Sequence, residues 1–569
     1  MRRSFRILGV VVGSVGVLLL LAGLAAVVVL RSPWFHEKLR QRVVYELERA
    51  TGGESSIGKI TWDFSRLNVR VEDLVLHGTE PRDGPPLLEV KSVDAGLRLL
   101  SFWKKQVDLA SLIVNRPRIN LIIAPDGSTN FPKPKVRRTG GKSAMETVLD
   151  LAAAHFEVKD GEIQFAAEKT SISARGENLR AQFAYDFLGP RYVGRLTIDP
   201  LVFRTRKTEP ITLAVDLNLT LRKNRIDFAG ARLTAGPSQI DASGAIEQFV
   251  PFRSSFDFTA RLAVNQVAKL TRIPQLERGA IELTGNARYA NPADYAVSGR
   301  MTARNLDYRQ GEYRVSGVNA ISSLSWTPGG IELQGLRAAL LGGHFSGRAI
   351  VRDYERFDVD GVIEDVTLSR VFDLLDKQFP KTQPRAWSGL VSGPVQLRGR
   401  FVGKDLTASG QVRIAPAEGA VPVGGYVDAT YNRREETLSL GTSRISTPAT
   451  KVQVSGVLGA RIQITASTTD LNDLLPAINI FSNTLVSELP VSLRNGSASF
   501  QGTLTGKLNA PEIAGHVEAA SFLLSGAHMD KLSAEIAINE SGLQVRNASV
   551  LVGTAQVQTS SVSLALTNW

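Results

Sequence analysis

Polar and apolar positions along this chain change period once. Between Phe35 and Ala50, Leu39, Val43, Leu47 and Ala50 recur at helical spacing. They predict an amphipathic helix that starts after the Pro33 break and ends at Thr51-Gly52-Gly53. Beyond it the period falls to two. Leu213, Val215, Leu217, Leu219 and Leu221 alternate with Thr212, Ala214, Asp216, Asn218 and Thr220. The turn Arg222-Lys223-Asn224-Arg225 follows, and Ile226 and Phe228 resume the alternation. This pattern predicts a β-hairpin with one apolar and one polar face. Similar alternation runs through Val69–Leu76, Ile119–Ile123, Val452–Val457 and Leu543–Val557. Gly, Asn and Asp punctuate these runs at about 8–12 residues, the spacing of antiparallel meanders. Ala144–Ala154 is the main further helix expected.

The pattern also repeats. The runs VNQVAKL from Val264, LSRVFDL from Leu368 and LNDLLP from Leu471 start 104 and 103 residues apart. A glycine-bearing strand precedes each, at Gly244, Gly347 and Gly456. Glycine-bounded strand pairs follow, with Gly285 and Gly299, Gly399 and Gly410, then Gly502 and Gly515. Stacked β repeats imply a quasi-one-dimensional solenoid or a long curved sheet. The fold class expected is mainly β, an elongated and repetitive antiparallel sheet with few short helices.

Such a sheet must bury its apolar face against something. Alternation alone is met most simply by an ordinary packed β-sandwich. The other closure is a trough, which left open exposes more apolar area than the few hundred Å² that soluble monomers tolerate. A trough therefore calls for an apolar ligand, and lipid acyl chains fit. Carrying a 16-carbon chain through water costs on the order of 12 kcal/mol at ~0.8 kcal/mol per CH₂. Leu213, Val215, Leu217, Leu219 and Leu221 are the candidate groove residues.

A membrane segment precedes all of this. Ile7 to Leu30 form 24 residues without a charge. As a helix they reach roughly 36 Å, enough to cross a ~30 Å hydrocarbon core. Arg2, Arg3 and Arg6 place the short N-terminus in the cytoplasm by the positive-inside rule. The run exceeds the apolar region of a cleaved signal peptide and ends in Val-Val-Val-Leu, so it is expected to remain as an anchor. The bulk of the chain then lies in the periplasm of a bacterial-type envelope, away from nucleic acid. The Pro-, Gly- and Lys/Arg-rich stretch Phe131–Lys142 is the expected linker. The organisation expected is residues 1–31 as cytoplasmic tip and anchor, 32–132 as an N-terminal domain, 133–142 as linker and 143–569 as the repeat region.

Composition narrows the chemistry. The 569 residues are 43% hydrophobic and 21% charged, which excludes a disordered chain. The absence of Cys excludes disulfides, thiolate metal sites and thiol nucleophiles. His36, His77, His155, His344, His516 and His528 are scattered singly. Gly141-Lys142-Ser143 ends like a phosphate-binding loop, but the first glycine would fall at Val136. No G-x-S-x-G or H-E-x-x-H occurs. Asp353, Glu355, Asp358, Asp360, Glu364 and Asp365 raise the idea of calcium, yet the alternation of Asp358 and Asp360 with Val359 and Gly361 suits a solvated strand face. Trp62 and Trp103 are expected as core anchors. No catalytic residue, cofactor or metal is assigned, and an enzyme is not expected.

The N-terminal region resembles the AsmA-like superfamily, which includes the TamB-like proteins of the translocation and assembly module. The similarity rests on an ordered set: the anchor, the helix ending in Thr51-Gly52, Ile57-Gly58-Lys59-Ile60-Thr61-Trp62, and Val69 to Leu76. It continues through Leu88-Glu89-Val90, Leu112 to Leu121 and the turn Asp126 to Phe131. Downstream, Gly502-Thr503-Leu504 through Ala510 to Gly515 is similar to the TamB-type repeat. The resemblance implies a periplasmic β-trough of the bridge-like lipid-transfer type on an inner-membrane anchor. It implies phospholipid as ligand, moved toward the outer membrane, or alternatively a scaffold or chaperone for outer-membrane protein assembly and secretion. TamB-like chains are longer and end in a module for an outer-membrane assembly partner. Here the sequence runs to Leu566-Thr567-Asn568-Trp569 in a strand pattern, as in a shorter AsmA-type member or a truncated longer one.

Overall fold

The computed structural model describes residues 32–565 apart from 64, 82, 98–108, 127, 133–151, 169–170, 206–207, 250, 272–274, 311–312, 376–386, 420, 459, 477–485, 490, 508–509 and 540–541. The expected anchor Ile7–Leu30, the linker 133–142, Trp103 and the last four residues lie outside these. Among the described residues no helix is long and apolar enough to cross a membrane. The helix expected over Ala144–Ala154 lies outside them up to residue 151, and Ala152–Ala154 are not helical.

The first amphipathic stretch forms α1 (Pro33–Thr51). Ser32 caps it, accepting the Phe35 N–H at 3.2 Å, and Pro33 occupies a first-turn position where no N–H is needed. Gly52, at φ 82°, ends it and donates to Glu48 O. The helix lies along the first strand, β1 (Glu54–Asp63). Arg40 Nη1 donates to Ile57 O at 3.3 Å, and the Ser55 N–H donates to Glu48 Oε1 at 3.2 Å. α1 thus covers backbone groups that an edge strand otherwise leaves open.

The strands form one 29-stranded sheet, and the chain divides into two compact units near residue 262. The first unit continues with β2 (Asn68–His77), β3 (Leu88–Leu97), β4 (Leu109–Ile123), β5 (His155–Ala167) and β6 (Ile172–Asp186). β7 (Arg191–Thr205), β8 (Thr208–Arg222), β9 (Arg225–Ala235), β10 (Ser238–Phe249) and β11 (Phe252–Ala263) complete it. Each pairs with the next in the chain, antiparallel except for β4 and β5. Those two run parallel, Ser111 opposite His155 through Ile123 opposite Ala167. A parallel pair requires a long crossover, which the connection from Ile123 to His155 supplies. Alternation has the same period in both kinds of pair, so it could not signal this reversal.

After α2 (Val264–Thr271) come β12 (Leu276–Asn291), β13 (Asp294–Gln310), β14 (Tyr313–Thr327), β15 (Gly330–Leu340), β16 (Gly343–Arg352) and β17 (Arg356–Thr367). α3 (Leu368–Leu375) follows, then β18 (Trp387–Arg400), β19 (Leu406–Pro416), β20 (Val421–Pro422), β21 (Gly424–Asn432), β22 (Thr437–Ser446), β23 (Thr450–Leu458) and β24 (Arg461–Thr468). A 3₁₀ turn at Leu471–Leu474 leads to β25 (Val491–Lys507), β26 (Ala510–Leu524), β27 (Ala527–Asn539), β28 (Gly542–Val552) and β29 (Ala555–Ala565). The run read as Leu543–Val557 is therefore two strands, broken by a turn in which Gly553 takes φ 58°.

All three recurring motifs are short helical turns, and six long strands separate each from the next. Six is even, so in a meander α3 and the 3₁₀ turn return to the same side of the second unit. Trp387 Nε1, on the first residue of β18, donates to Asp473 O in the 3₁₀ turn at 3.0 Å. α3 lays Leu368, Val371 and Phe372 over Ile363, Val391 and Ile414.

Glycines mark where strands press together. Gly347 and Gly361 face each other in register, with the Phe345 ring over both. A Cβ on Gly347 would fall 2.1 Å from Asp360 O. Gly502 and Gly515 repeat the arrangement under Phe500. Gly347→Val should therefore lower stability by about 1–3 kcal/mol, as overpacking does. Gly230→Ala, whose Cβ meets only Asn218 Nδ2 at 3.6 Å, should shift it by less than about 0.5 kcal/mol. Urea unfolding followed by circular dichroism compares the two.

Candidate functional site on the apolar face

All five predicted groove residues share one face of β8. Val215 and Leu219 are buried, while Leu213, Leu217 and Leu221 are half-buried. Leu219 joins a cluster with Ala181, Phe183 and Tyr192, and Val215 joins another with Leu179 and Ile198. The residues of both clusters come from β4 to β9, which follow one another in the sheet. Tyr192 is anchored by the Ala153 N–H, which donates to its hydroxyl at 2.9 Å, and burial pushes its phenol up.

Residues directly opposite in neighbouring strands project on the same face, and following the pairs outward from β8 shows what the sequence did not. Leu217 faces Leu196 and Ala231; the row runs on to Ala181, Val158, Val114, Val93, Val71 and Ile60 on one side. On the other it passes Ala242 and ends at Phe258. Eleven strands contribute, and every position is apolar. At ~4.8 Å between strands, that row measures about 50 Å. A second row through Leu219 runs Trp62, Val69, Ala95, Leu112, Phe156, Phe183, Gly194, Leu219, Phe228, Gly244 and Phe256. Trp62 is thus half-buried on this face.

The second unit has rows of its own. One joins Gly299, Leu324, Leu333, Ala349, Val359, Leu397, Ala408, Tyr431, Leu438 and Leu458. Another joins Leu440, Gly456, Ile462, Leu504, Ile513, Ile538 and Leu543. Most members are half-buried, and Leu397 is 37% exposed. A second sheet stacked about 10 Å away would bury such side chains almost fully.

The opposite face is polar and crossed by ion pairs. Arg195 meets Asp216 across β7 and β8, Arg232 meets Asp241 across β9 and β10, and Arg70 meets Asp94 at 2.6 Å. The hydrogen bond from Arg195 holds the Asp216 carboxyl below the usual range, with burial opposing it. Arg232, with Gln239, does the same for Asp241. Asp358 and Asp360 of the acidic stretch lie on this face of β17. Asp358 lies within reach of Arg352 and Arg398, and Asp360 of Arg348 and Gln396. Among the described residues no three acidic or histidine side chains converge as metal ligands. His516 lies 3.0 Å from Glu535 and 3.3 Å from Ser533 on partly exposed strand surface.

No protein-family model matches the chain, and no curated protein matches its sequence.

The polar face carries a pH signature. A lowered folded-state pKa stabilises above the unfolded value, about 3.9 for Asp, and that stability is lost as pH falls through the folded value. Asp216→Asn should therefore cost about 0.2–1 kcal/mol at pH 7, the scale of an exposed pair, and progressively less as pH falls below about 4, down to pH 2. Urea midpoints of both proteins at the two pH values measure it.

Proposed function

We propose that this chain is a carrier of phospholipid acyl chains along an apolar β-groove, anchored in an inner membrane and working in the periplasm between inner and outer membranes. The observation that carries the proposal is the unbroken apolar row across eleven strands, most of whose members stay half-buried and whose clusters, among the described residues, draw on neighbouring strands of the same sheet. Such a surface calls for an apolar occupant, and a row continuous from strand to strand suits a chain-like one that must move without crossing polar ground. The polar face, laced with ion pairs, stays in water. The uncharged segment Ile7–Leu30 supplies the anchor, and Arg2, Arg3 and Arg6 its orientation. The resemblance to AsmA-like and TamB-like sequences supports the same work in envelope biogenesis. The mechanism is passive: each apolar position replaces water at about 0.8 kcal/mol per CH₂, and successive rows keep the cost of a step small.

The full chain, purified in mild detergent, should release phospholipid in several copies per protein in native mass spectrometry. Leu217→Asp should reduce that number several-fold while circular dichroism keeps its β signature. Asn218→Asp, on the polar face, should leave it unchanged. A folded, lipid-free chain, or equal loading in both variants, contradicts the proposal.

A further inference from the structure

The polar face of the second unit is not uniform. Over β13–β17 it sinks into a recess of about 590 Å³, within the range of small-ligand sites. Bulges on alternate strands accompany it. β13 gains a residue at Arg304-Asn305, β15 at Gln334-Gly335 and β17 at Glu364-Asp365. Asn305, Gly335 and Asp365 take φ of 51°, 58° and 54° there. A bulge bends its strand and re-aims a side chain.

Two arginines line this recess, Arg304 on the first bulge and Arg337 just beyond the second. Of the other arginines on these strands, Arg309 and Arg314 share Glu277 and Arg348 meets Asp360, while Arg300, outside the recess, is also without a carboxylate partner among the described residues. Among the described residues neither Arg304 nor Arg337 has an acidic partner within ion-pair distance. They flank β14, where Ile321 lies opposite Arg337. Asn319 accepts the Asn305 N–H at 3.0 Å and so braces the bulge that carries Arg304. Thr302 and Ser346 also line the recess, each with a hydroxyl. At the far side Glu364 stands opposite His344 in register, the one carboxylate in the recess.

We propose that this recess binds a phosphate group, held between Arg304 and Arg337, with the rest of the ligand directed toward Glu364. Guanidinium forks match phosphate oxygens in charge and geometry. Two of them flanking one strand, undiluted by carboxylates of their own, leave an anion site, and Glu364 disfavours further negative charge at its end. The phosphate can belong to a free ion or to a lipid headgroup. This site lies on the opposite face from the apolar rows and does not depend on the acyl-chain proposal.

The test is isothermal titration of the full chain in detergent at low ionic strength, with inorganic phosphate and with monomeric dihexanoyl phosphatidic acid as separate probes. Both should bind, and Arg304→Gln or Arg337→Gln should each weaken binding about tenfold, the scale of a lost charge-assisted hydrogen bond. Glu364→Gln should tighten it several-fold, an effect that mere structural damage would not produce. Equal affinity for the two probes marks a phosphate site. Tenfold tighter binding of the lipid, lost in the arginine variants, marks a headgroup site. Absence of binding by either probe, or binding indifferent to both arginine variants and to Glu364→Gln, overturns the proposal. Leu217→Asp should leave inorganic phosphate binding unchanged, so failure here and failure of the lipid-groove proposal are separately visible.

Discussion

Period-two alternation serves a sheet only while neighbouring strands stay in phase, because a slip of one residue moves every apolar side chain to the other face. In this protein that phase is kept from Ile60 to Phe258 without a polar interruption. Bulges preserve it rather than break it. On β9, Phe228 and Ala231 are three residues apart yet face Leu219 and Leu217, which are two apart. The extra residue is absorbed between them, and Gly244 and Ala242 on β10 pick up the same phase. Without that bulge Gly230 and Arg232 would turn inward and the row would end at β9.

From this constraint the two faces acquire different physics. One is a largely half-buried apolar surface, whose clusters in the first unit draw on successive strands. The other is held by cross-strand Arg–Asp pairs, each worth little in water but together matching charge to charge along the ladder. In the second unit, α3 lies on the apolar side, with Leu368 and Phe372 over Val391 and Ile414. Its neighbour Trp387 ties it to the next helical turn through Asp473. The six-strand repeat therefore does more than lengthen the sheet: it returns a helical turn to one side at each period.

Much of this was legible from the chain. The helix ending at Gly52, the hairpin at Lys223-Asn224, the alternation on β8 and the three recurring helical turns all rest on local signals, and the structure carries each. The single sheet was also expected, but the parallel join of β4 and β5 was not, because pairing direction leaves no mark on side-chain period. The rows themselves were hidden for a different reason. They are made of residues such as Val93, Ala181 and Ala231, small and far apart in sequence, and bulges such as the one at β9 reset the alternation within a strand. Only the register joins them. The recess at Arg304 and Arg337 escaped notice for the same cause, since its residues and the bulges beside them are spread over several strands.

The central claim is that acyl chains lie along the apolar rows. Site-specific photo-crosslinking of the full chain in native membranes tests it most directly, with the reactive residue placed at Leu196, Leu217 or Ala349 on the rows and at Arg195, Asn218 or Arg348 on the opposite face. Lipid adducts confined to the first three positions are the predicted result. Adducts at neither set, or equally at both, would contradict the account and leave the apolar face without its proposed occupant.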